Sequence, residues 1–114
     1  MSDCIFCKIA AGEIPAELLY EDEHVVAFND IQSQAPFHAL VIPKQHIATI
    51  NELQDANAAI LAPMYLAAKH IAQAAGYTKK GYRTVMNCEA GGGQSVFHIH
   101  LHVLAGRKLT WPPG

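Results

Sequence analysis

The sequence predicts an α+β domain with a mainly antiparallel sheet, because short strand-like segments both precede and follow a single long helical segment. Three of these segments come before the helix, at residues 17–21, 24–29 and 37–42, and each is a short run that includes apolar residues and ends near turn-forming ones. Two more follow it, at residues 82–87 and 97–104, and the last alternates strictly between apolar residues and histidines. Together they predict a sheet of five strands.

The long helix is predicted over residues 55–75, with Asp55 as its N-cap and Gly76 just after its last turn. Pro63 is expected to kink or loosen its first half. After the cap, Lys69 is its only permanently charged residue, so the helix is expected to be buried on more than one face. Either a second subunit or the chain's own sheet would cover the second face.

Composition and charge limit the classes of protein to which the chain can belong. Its 114 residues, 51% of them hydrophobic, predict a single domain over residues 1–114, with a further short helix over residues 4–11 that Gly12 ends. A net charge of −2 offers no basic surface for a nucleic acid polymer. No apolar run approaches the ~20 residues that cross a membrane. Three cysteines and an N-terminus without the pattern of an export signal predict a cytoplasmic location.

Three histidines, His98, His100 and His102, alternate with apolar residues in the last predicted strand. Alternate residues of a strand share one face, so the three imidazoles are expected side by side while Ile99 and Leu101 enter the core. A strand built only for packing has no use for rings that would repel one another if charged. The pattern therefore favours catalysis, in which a neutral imidazole attacks phosphorus or transfers protons. A metal site and a purely structural strand are the alternatives.

The segment before these histidines, residues 91–95, reads Gly-Gly-Gly-Gln-Ser. A glycine-rich turn exposes backbone N–H groups, which bind anions such as phosphate. A row of nucleophiles beside an anion site predicts phosphoryl chemistry. At the other end of the chain, Cys4 and Cys7 have a spacing suited to zinc, but two ligands do not make a site. A redox role for this pair is disfavoured because no βαβ pattern surrounds it.

Several motifs resemble one known family. The string His-Ile-His-Leu-His-Val-Leu is similar to the signature of the histidine triad (HIT) family, and the preceding Gly-Gly-Gln-Ser resembles its HINT-like branch. Further matches are CIFCKI at residues 4–9, GEIP at 12–15, FNDI at 28–31, APFHALVIPK at 35–44 and WPPG at 111–114. The resemblance implies a HIT-like fold, with a five-stranded antiparallel sheet, one long and one short helix, and a homodimer whose sheet continues across both subunits.

The resemblance also implies an activity. HINT-like proteins hydrolyse the P–N bond of purine nucleoside 5′-phosphoramidates through a nucleotidyl-histidine intermediate, and they release AMP or GMP and an amine. No cofactor is required for this catalysis. The partners expected are therefore a purine nucleotide or phosphoramidate and a second copy of the chain. A nucleotide-binding adaptor with incidental hydrolysis and a dinucleoside polyphosphate hydrolase are the alternatives.

Catalytic roles follow residue by residue from the same resemblance. His100 corresponds to the nucleophile, a role that its central place in the row also favours. His102 would contact the phosphate and assist proton transfer, and His38 would extend a relay. Ser95 would bind the phosphate or the leaving nitrogen, and His98 completes the triad.

Binding roles are implied as well. Asp30 would accept hydrogen bonds from the ribose hydroxyls, with Ile31 and Phe28 beside the base, and Asn87 would touch ribose or phosphate. The remaining expected nucleotide contacts are Gly93, Gln94, Ser95, His100 and His102. A structural zinc ion would be bound by Cys4, Cys7, His46 and His98, with free thiols as the alternative. The tail, which contains Trp111, would close the leaving-group side of the pocket across a dimer.

Overall fold

A five-stranded antiparallel sheet forms the centre of the fold in the computed structural model, which describes residues 3–114. Its strands are β1 (Leu18–Glu21), β2 (Val25–Asn29), β3 (Phe37–Pro43), β4 (Arg83–Val85) and β5 (Leu101–Ala105). They lie in the order β1-β2-β3-β5-β4, and each neighbouring pair is antiparallel. The predicted sheet is therefore confirmed. The first two residues of the predicted domain, Met1 and Ser2, lie outside the described part of the chain.

The central strands β2 and β3 are buried on both faces, which explains their nearly continuous apolar sequence. Alternate residues enter two separate cores. The face that carries Val25 and Ala27 packs under the long helix α2 (Leu61–Ala74), and the face that carries Val26 and Phe28 packs on Phe6. The sheet therefore lies between a long helix and a short one.

The long helix begins later than the sequence predicts. Residues before it form two 3₁₀ turns, Ile50–Glu52 and Ala58–Ile60, so the prediction of Asp55 as N-cap is wrong. The side chain of Asn57 accepts a hydrogen bond from the Gln54 N–H at 2.7 Å, and local bonds of this kind compete with helix. Pro63 is the third residue of α2, where its missing N–H costs no helical bond, so it stands in the first turn of the helix and not farther inside it as predicted.

The end of α2 agrees with the prediction. Gly76 has a φ of +89°, and its N–H donates to the Gln73 carbonyl while the Tyr77 N–H donates to that of Ala72. This is the Schellman arrangement, which requires a left-handed residue and so favours glycine. The short helix α1 (Ile5–Ala10) has Cys4 as its N-cap and a left-handed Gly12 beyond its C-cap. Among the described residues, no helix is long and apolar enough to cross a membrane.

The last two strands are shorter than predicted. Val41 pairs with Leu101 and Val85 with His102, so the residues just before β5 have no strand beside them. They stay extended in another way, because the Ile99 N–H donates to the carbonyl of Ile47 at 2.8 Å. Ile99, Leu101 and Val103 are all fully buried, so the predicted alternation extends beyond the regular strand.

Candidate active site

The ring of His100 is oriented by a backbone carbonyl. Its Nδ1 lies 2.9 Å from the carbonyl oxygen of His98, and a carbonyl can only accept, so Nδ1 carries the proton. In the neutral imidazole, the other nitrogen, Nε2, therefore holds the lone pair. Phe6 packs edge-on against this ring, with centroids 5.2 Å apart, and the His102 ring lies 5.0 Å away. His100 is 6% exposed, so little freedom remains for the ring to turn.

A directed chain of hydrogen bonds sets the tautomers of His38 and His102. The backbone N–H of Gln34 donates to Nδ1 of His38 at 2.9 Å, so the neutral His38 ring carries its proton on Nε2. That Nε2 lies 2.9 Å from Nδ1 of His102, which must accept. His102 is left with its proton on Nε2, as a donor on the side of the ring away from His38.

Asp30 adds a carboxylate to this chain. Its Oδ2 lies 3.4 Å from Nε2 of His38, and its Oδ1 accepts from the Gln32 N–H at 2.9 Å. Asp30, His38 and His102 offer atoms of the types that bind metals, within 4.8 Å of one another. The hydrogen bond from the Gln34 N–H argues against a metal ion in this group. Because Nδ1 of His38 accepts that bond, the proton of the ring stays on Nε2, which is the nitrogen that a metal would need.

Burial keeps these rings uncharged near pH 7. It lowers the pKa of His102 to about 4, with His100 and His38 acting in the same direction and Asp30 in the opposite one. Burial also lowers the pKa of His38, which Asp30 partly offsets. A neutral imidazole is both a nucleophile and a proton donor, which is the state that the hydrogen bonds require.

His98 faces a different group of residues. Its Nε2 lies 2.8 Å from the Pro43 carbonyl and must donate to it, so Nδ1 holds the lone pair. That Nδ1 lies 3.3 Å from Sγ of Cys4, 3.5 Å from Sγ of Cys7 and 3.2 Å from Nδ1 of His46. Neither nitrogen is therefore directed at the His100–His102 side of the site.

The donor set around His98 suits a zinc ion. One ligand atom from each of Cys4, Cys7, His46 and His98 lies within 4.8 Å of the others, and two thiolates with two imidazoles are a common tetrahedral set. The hydrogen bond from His98 to the Pro43 carbonyl is the kind of outer contact that orients a metal-binding histidine. Such an ion would link α1 to the end of β3 and to the segment before β5.

The glycine-rich loop differs from the expectation of free N–H groups. Those of Gly92 and Gln94 donate to the Glu89 carbonyl, and that of Gly93 donates to the Ala90 carbonyl. The Gln94 side chain is buried, and it binds the carbonyls of Ala48 and Val96 and the N–H of Glu89.

Gln94 therefore maintains the shape of this loop. The exposed Ser95 follows it, and Nδ2 of Asn87 lies 3.5 Å from the Gly93 carbonyl. Ser95 and Asn87 flank the loop as polar side chains that remain available to a substrate.

Comparisons with known proteins identify the family of this chain. Residues 11–109 match the family model of the HIT domain. The chain is also 51% identical over 112 residues to an uncharacterized HIT-like protein of Synechococcus elongatus, with 98% of this chain and 97% of that protein covered. The chain belongs to the HIT family.

Solved HIT structures agree over nearly the whole chain. A HIT family hydrolase from Legionella pneumophila has a TM-score of 0.95 at 56% identity, with 98% of this chain and 100% of that chain covered. A HIT family hydrolase from Clostridium thermocellum has a TM-score of 0.93 at 44% identity, with 96% of each chain covered. A histidine triad protein from Clostridium difficile gives the same values. The HIT-like fold that the sequence motifs imply is therefore confirmed.

The expected base-side residues of this HIT domain differ in burial. Phe28 is 8% exposed, and its ring packs against Phe6 with centroids 5.7 Å apart. Ile31, in contrast, is 98% exposed at the start of the loop after β2. Trp111 is 81% exposed, beyond two tail carbonyls that accept hydrogen bonds from Arg83. Ile31 and Trp111 are thus apolar surfaces that the chain itself leaves uncovered.

Sequence reasoning missed two contributors to the site. Phe6 packs on both His98 and His100, although it looks only like an apolar residue between the two cysteines. Gln34 acts on His38 through its backbone N–H, which no side-chain pattern reveals. The apolar character of residue 6 was a signal that could have been used, whereas the role of Gln34 had none.

Proposed function

We propose that this HIT protein hydrolyses purine nucleoside 5′-phosphoramidates, as a member of the HINT-like branch, and releases AMP or GMP and an amine. The observation that carries the proposal is the hydrogen bond from Nδ1 of His100 to the His98 carbonyl, which makes Nε2 the nitrogen that holds the lone pair of the neutral ring, beside the His102 ring. Relatives from Legionella pneumophila and Clostridium thermocellum are described as HIT family hydrolases, which supports a hydrolase.

In the first step, the lone pair on Nε2 of His100 attacks phosphorus and the P–N bond breaks. The bonding pair stays on nitrogen, which takes a proton from solvent and leaves as the amine, while the Nε2–H of His102 assists by donating a hydrogen bond to it. Both nitrogens of His100 then carry a substituent, so its ring is cationic. The carbonyl of His98 stabilises this cation because it already accepts from Nδ1.

In the second step, water attacks phosphorus and the bond to Nε2 of His100 breaks, which restores the neutral nucleophile. The water supplies hydroxide to phosphorus, and its proton returns to solvent, which balances the proton taken up in the first step. The nucleoside monophosphate is then free. Ser95 is exposed just before the histidine-containing segment, and we propose that its hydroxyl binds the phosphate or the leaving nitrogen. No cofactor enters either step.

The nucleoside is assigned to the surface beside β2. Asp30, which lies next to His38 and is partly exposed, would accept from the ribose hydroxyls. The exposed Ile31 and the edge of Phe28 would flank the base, and Asn87 would reach ribose or phosphate. An apolar side chain that is almost fully exposed, such as Ile31, gains from covering by a flat aromatic base.

Zinc and a homodimer complete the proposal. Cys4, Cys7, His46 and His98 would hold zinc in a structural role, in a reducing compartment such as the cytoplasm. For the dimer, the support is the place of β4 at the edge of the sheet, where a second copy of β4 can continue the ladder. Tyr65 and Leu66 of α2 are 49% and 62% exposed, which supports burial against a partner.

A substrate panel tests the activity. Adenosine and guanosine compounds with P–N, P–O–P and P–F bonds are offered to the purified protein, and kcat/KM is compared across the bonds. The proposal predicts the highest value for P–N compounds. A preference for P–O–P compounds would favour a dinucleoside polyphosphate hydrolase, and binding without turnover of any compound would favour an adaptor.

A further inference from the structure

The loop that follows β2 is attached to the end of β5 by an arginine. Both Nε and Nη2 of Arg107 donate to the carbonyl oxygen of Gln34, at 3.2 and 3.0 Å. A guanidinium that gives two bonds to one carbonyl fixes the position and the direction of that peptide group. Gln34 is 73 residues away in sequence, so this is a tertiary contact.

The neighbouring residue provides a second attachment. Gly106 has a φ of +99°, and a Cβ built on it would lie 2.7 Å from Cβ of Pro36 and 3.1 Å from the Tyr77 hydroxyl. Any other side chain would push Pro36 away and would also strain the backbone. Glycine at this position therefore allows the end of the loop to lie directly against β5.

The held peptide group is also the one that sets the tautomer of His38. Gln34 accepts from Arg107 through its carbonyl, and its own N–H donates to Nδ1 of His38 at 2.9 Å. His38 then donates from Nε2 to His102. A continuous series of hydrogen bonds thus runs from an exposed guanidinium to a member of the triad.

From these contacts we infer that Arg107 and Gly106 are positioning residues for catalysis, which hold the Gln34 backbone so that His38 keeps its proton on Nε2 and directs it to His102. Without this attachment, the Gln34 N–H would leave Nδ1 of His38, and both tautomers would become populated. In the other tautomer, Nε2 of His38 carries a lone pair and faces Nδ1 of His102, which is also an acceptor, so the two rings cannot share a hydrogen bond. The inference rests on the proposed function for its kinetic consequence but not for its structural one.

Three variants and one control test it. Arg107→Ala removes the guanidinium, and Arg107→Lys restores one donor without the paired geometry. Lys108→Ala, which removes the same charge from the neighbouring residue, is the control. Nitrogen-15 NMR of the histidine rings in the substrate-free protein reports which nitrogen of His38 carries the proton.

We expect His38 to lose its single Nε2–H tautomer in Arg107→Ala, to recover it in part in Arg107→Lys, and to keep it in Lys108→Ala. Turnover of a phosphoramidate should fall about tenfold in kcat in Arg107→Ala, because the relay is misplaced, while KM stays nearly unchanged since Arg107 does not touch the substrate. Gly106→Ala should shift the same NMR signals.

A single Nε2–H tautomer in folded Arg107→Ala would overturn the inference, as would a kcat equal to that of Lys108→Ala. The NMR measurement needs no substrate, so it remains decisive if the protein proves to act on another bond. Conversely, a failure of the proposed function would appear in the substrate panel of the wild-type protein and would leave the tautomer of His38 unchanged.

Discussion

The carbonyl oxygen of His98 and Nδ1 of His100 are joined by a hydrogen bond of 2.9 Å. The two histidines therefore have different tasks. The ring of His98 is directed at Cys4 and Cys7, while its backbone orients the ring of His100. A change that displaces the backbone of His98 would reach the nucleophile through this bond, whereas a change in its ring alone would first affect the cysteine group.

His100→Ala removes the proposed nucleophile. Turnover should be lost, while nucleotide binding stays largely intact because it draws on groups that the substitution spares. Steady-state kinetics and calorimetric titration with a nucleoside monophosphate measure the two effects. His24→Ala, an exposed histidine on the turn between β1 and β2, is the control. More than about a tenth of the wild-type rate in His100→Ala, a loss of only ~1.4 kcal/mol, would exclude it as nucleophile.

Metal content checks the role of the cysteine pair. Elemental analysis of reduced protein, purified without added metal, should give about one zinc per chain. Replacing Cys4 and Cys7 by serine should abolish the zinc and lower the melting temperature more than it lowers kcat, because the ion is structural. Cys88→Ser, which changes a cysteine outside the group, should alter neither. Absence of zinc from undisturbed protein would contradict the proposed zinc site.

The pKa of His102 predicts a pH dependence of stability. Burial holds it at about 4 in the folded protein against an ordinary 6.5, so the unfolded chain binds more protons between these values. Stability should be complete above pH ~6.5 and fall as the pH drops towards 4.

His102→Gln removes this titration and should lose roughly 2 kcal/mol less than the wild-type protein over that interval, which is the ~3 kcal/mol of the full pKa difference reduced for the solvent screening of a partly exposed ring. Urea unfolding at several pH values measures the difference. Parallel curves for the two proteins would show that His102 is not the titrating group.

The tail offers a test of the dimer and of leaving-group selection. Removing residues 111–114 spares the carbonyls of Leu109 and Thr110, which accept from Arg83 at 3.1 and 2.9 Å. If the protein is the proposed dimer, it should still sediment as one, and the ranking of kcat/KM across several amines should change if Trp111 closes the leaving-group side of the pocket as expected.

Trp111→Ala should reproduce that change without shortening the chain, and removal of residues 109–114 should leave the dimer in place as well. An unchanged ranking in both proteins would separate the tail from the active site. If the intact protein is a monomer, there is no subunit interface for the tail to cross, and the prediction is wrong.

Local patterns were sufficient for much of the fold. The alternation in residues 97–104 buries Ile99, Leu101 and Val103, so the intervening histidines had to share the other side of the chain. Gly12 and Gly76 end their helices because a left-handed residue is needed there. These outcomes depend on the spacing of apolar residues along the chain and on the local backbone conformation. Both are determined by residues that are close in sequence.

The start of α2 and the state of the glycine-rich loop could not be predicted in this way. The side chain of Asn57 forms hydrogen bonds with the backbone of Gln54 and Glu52, and these local bonds replace the predicted first turns of the helix. In the glycine-rich loop, the carbonyls of Glu89 and Ala90 accept hydrogen bonds from N–H groups that the composition alone predicts to be free. Both depend on which of several local bonds forms, and composition does not choose between them.

The sequence by itself determined that the three histidines lie together, and only the tertiary structure decided what each nitrogen does. His98 meets Cys4 across 94 positions, and His102 meets His38 across 64. The proton on each ring is set by a partner such as the Gln34 N–H or the Pro43 carbonyl. The physical reason is that the two nitrogens of a histidine ring have similar basicity and share one proton, and a donor or acceptor brought to the ring by the fold selects between them.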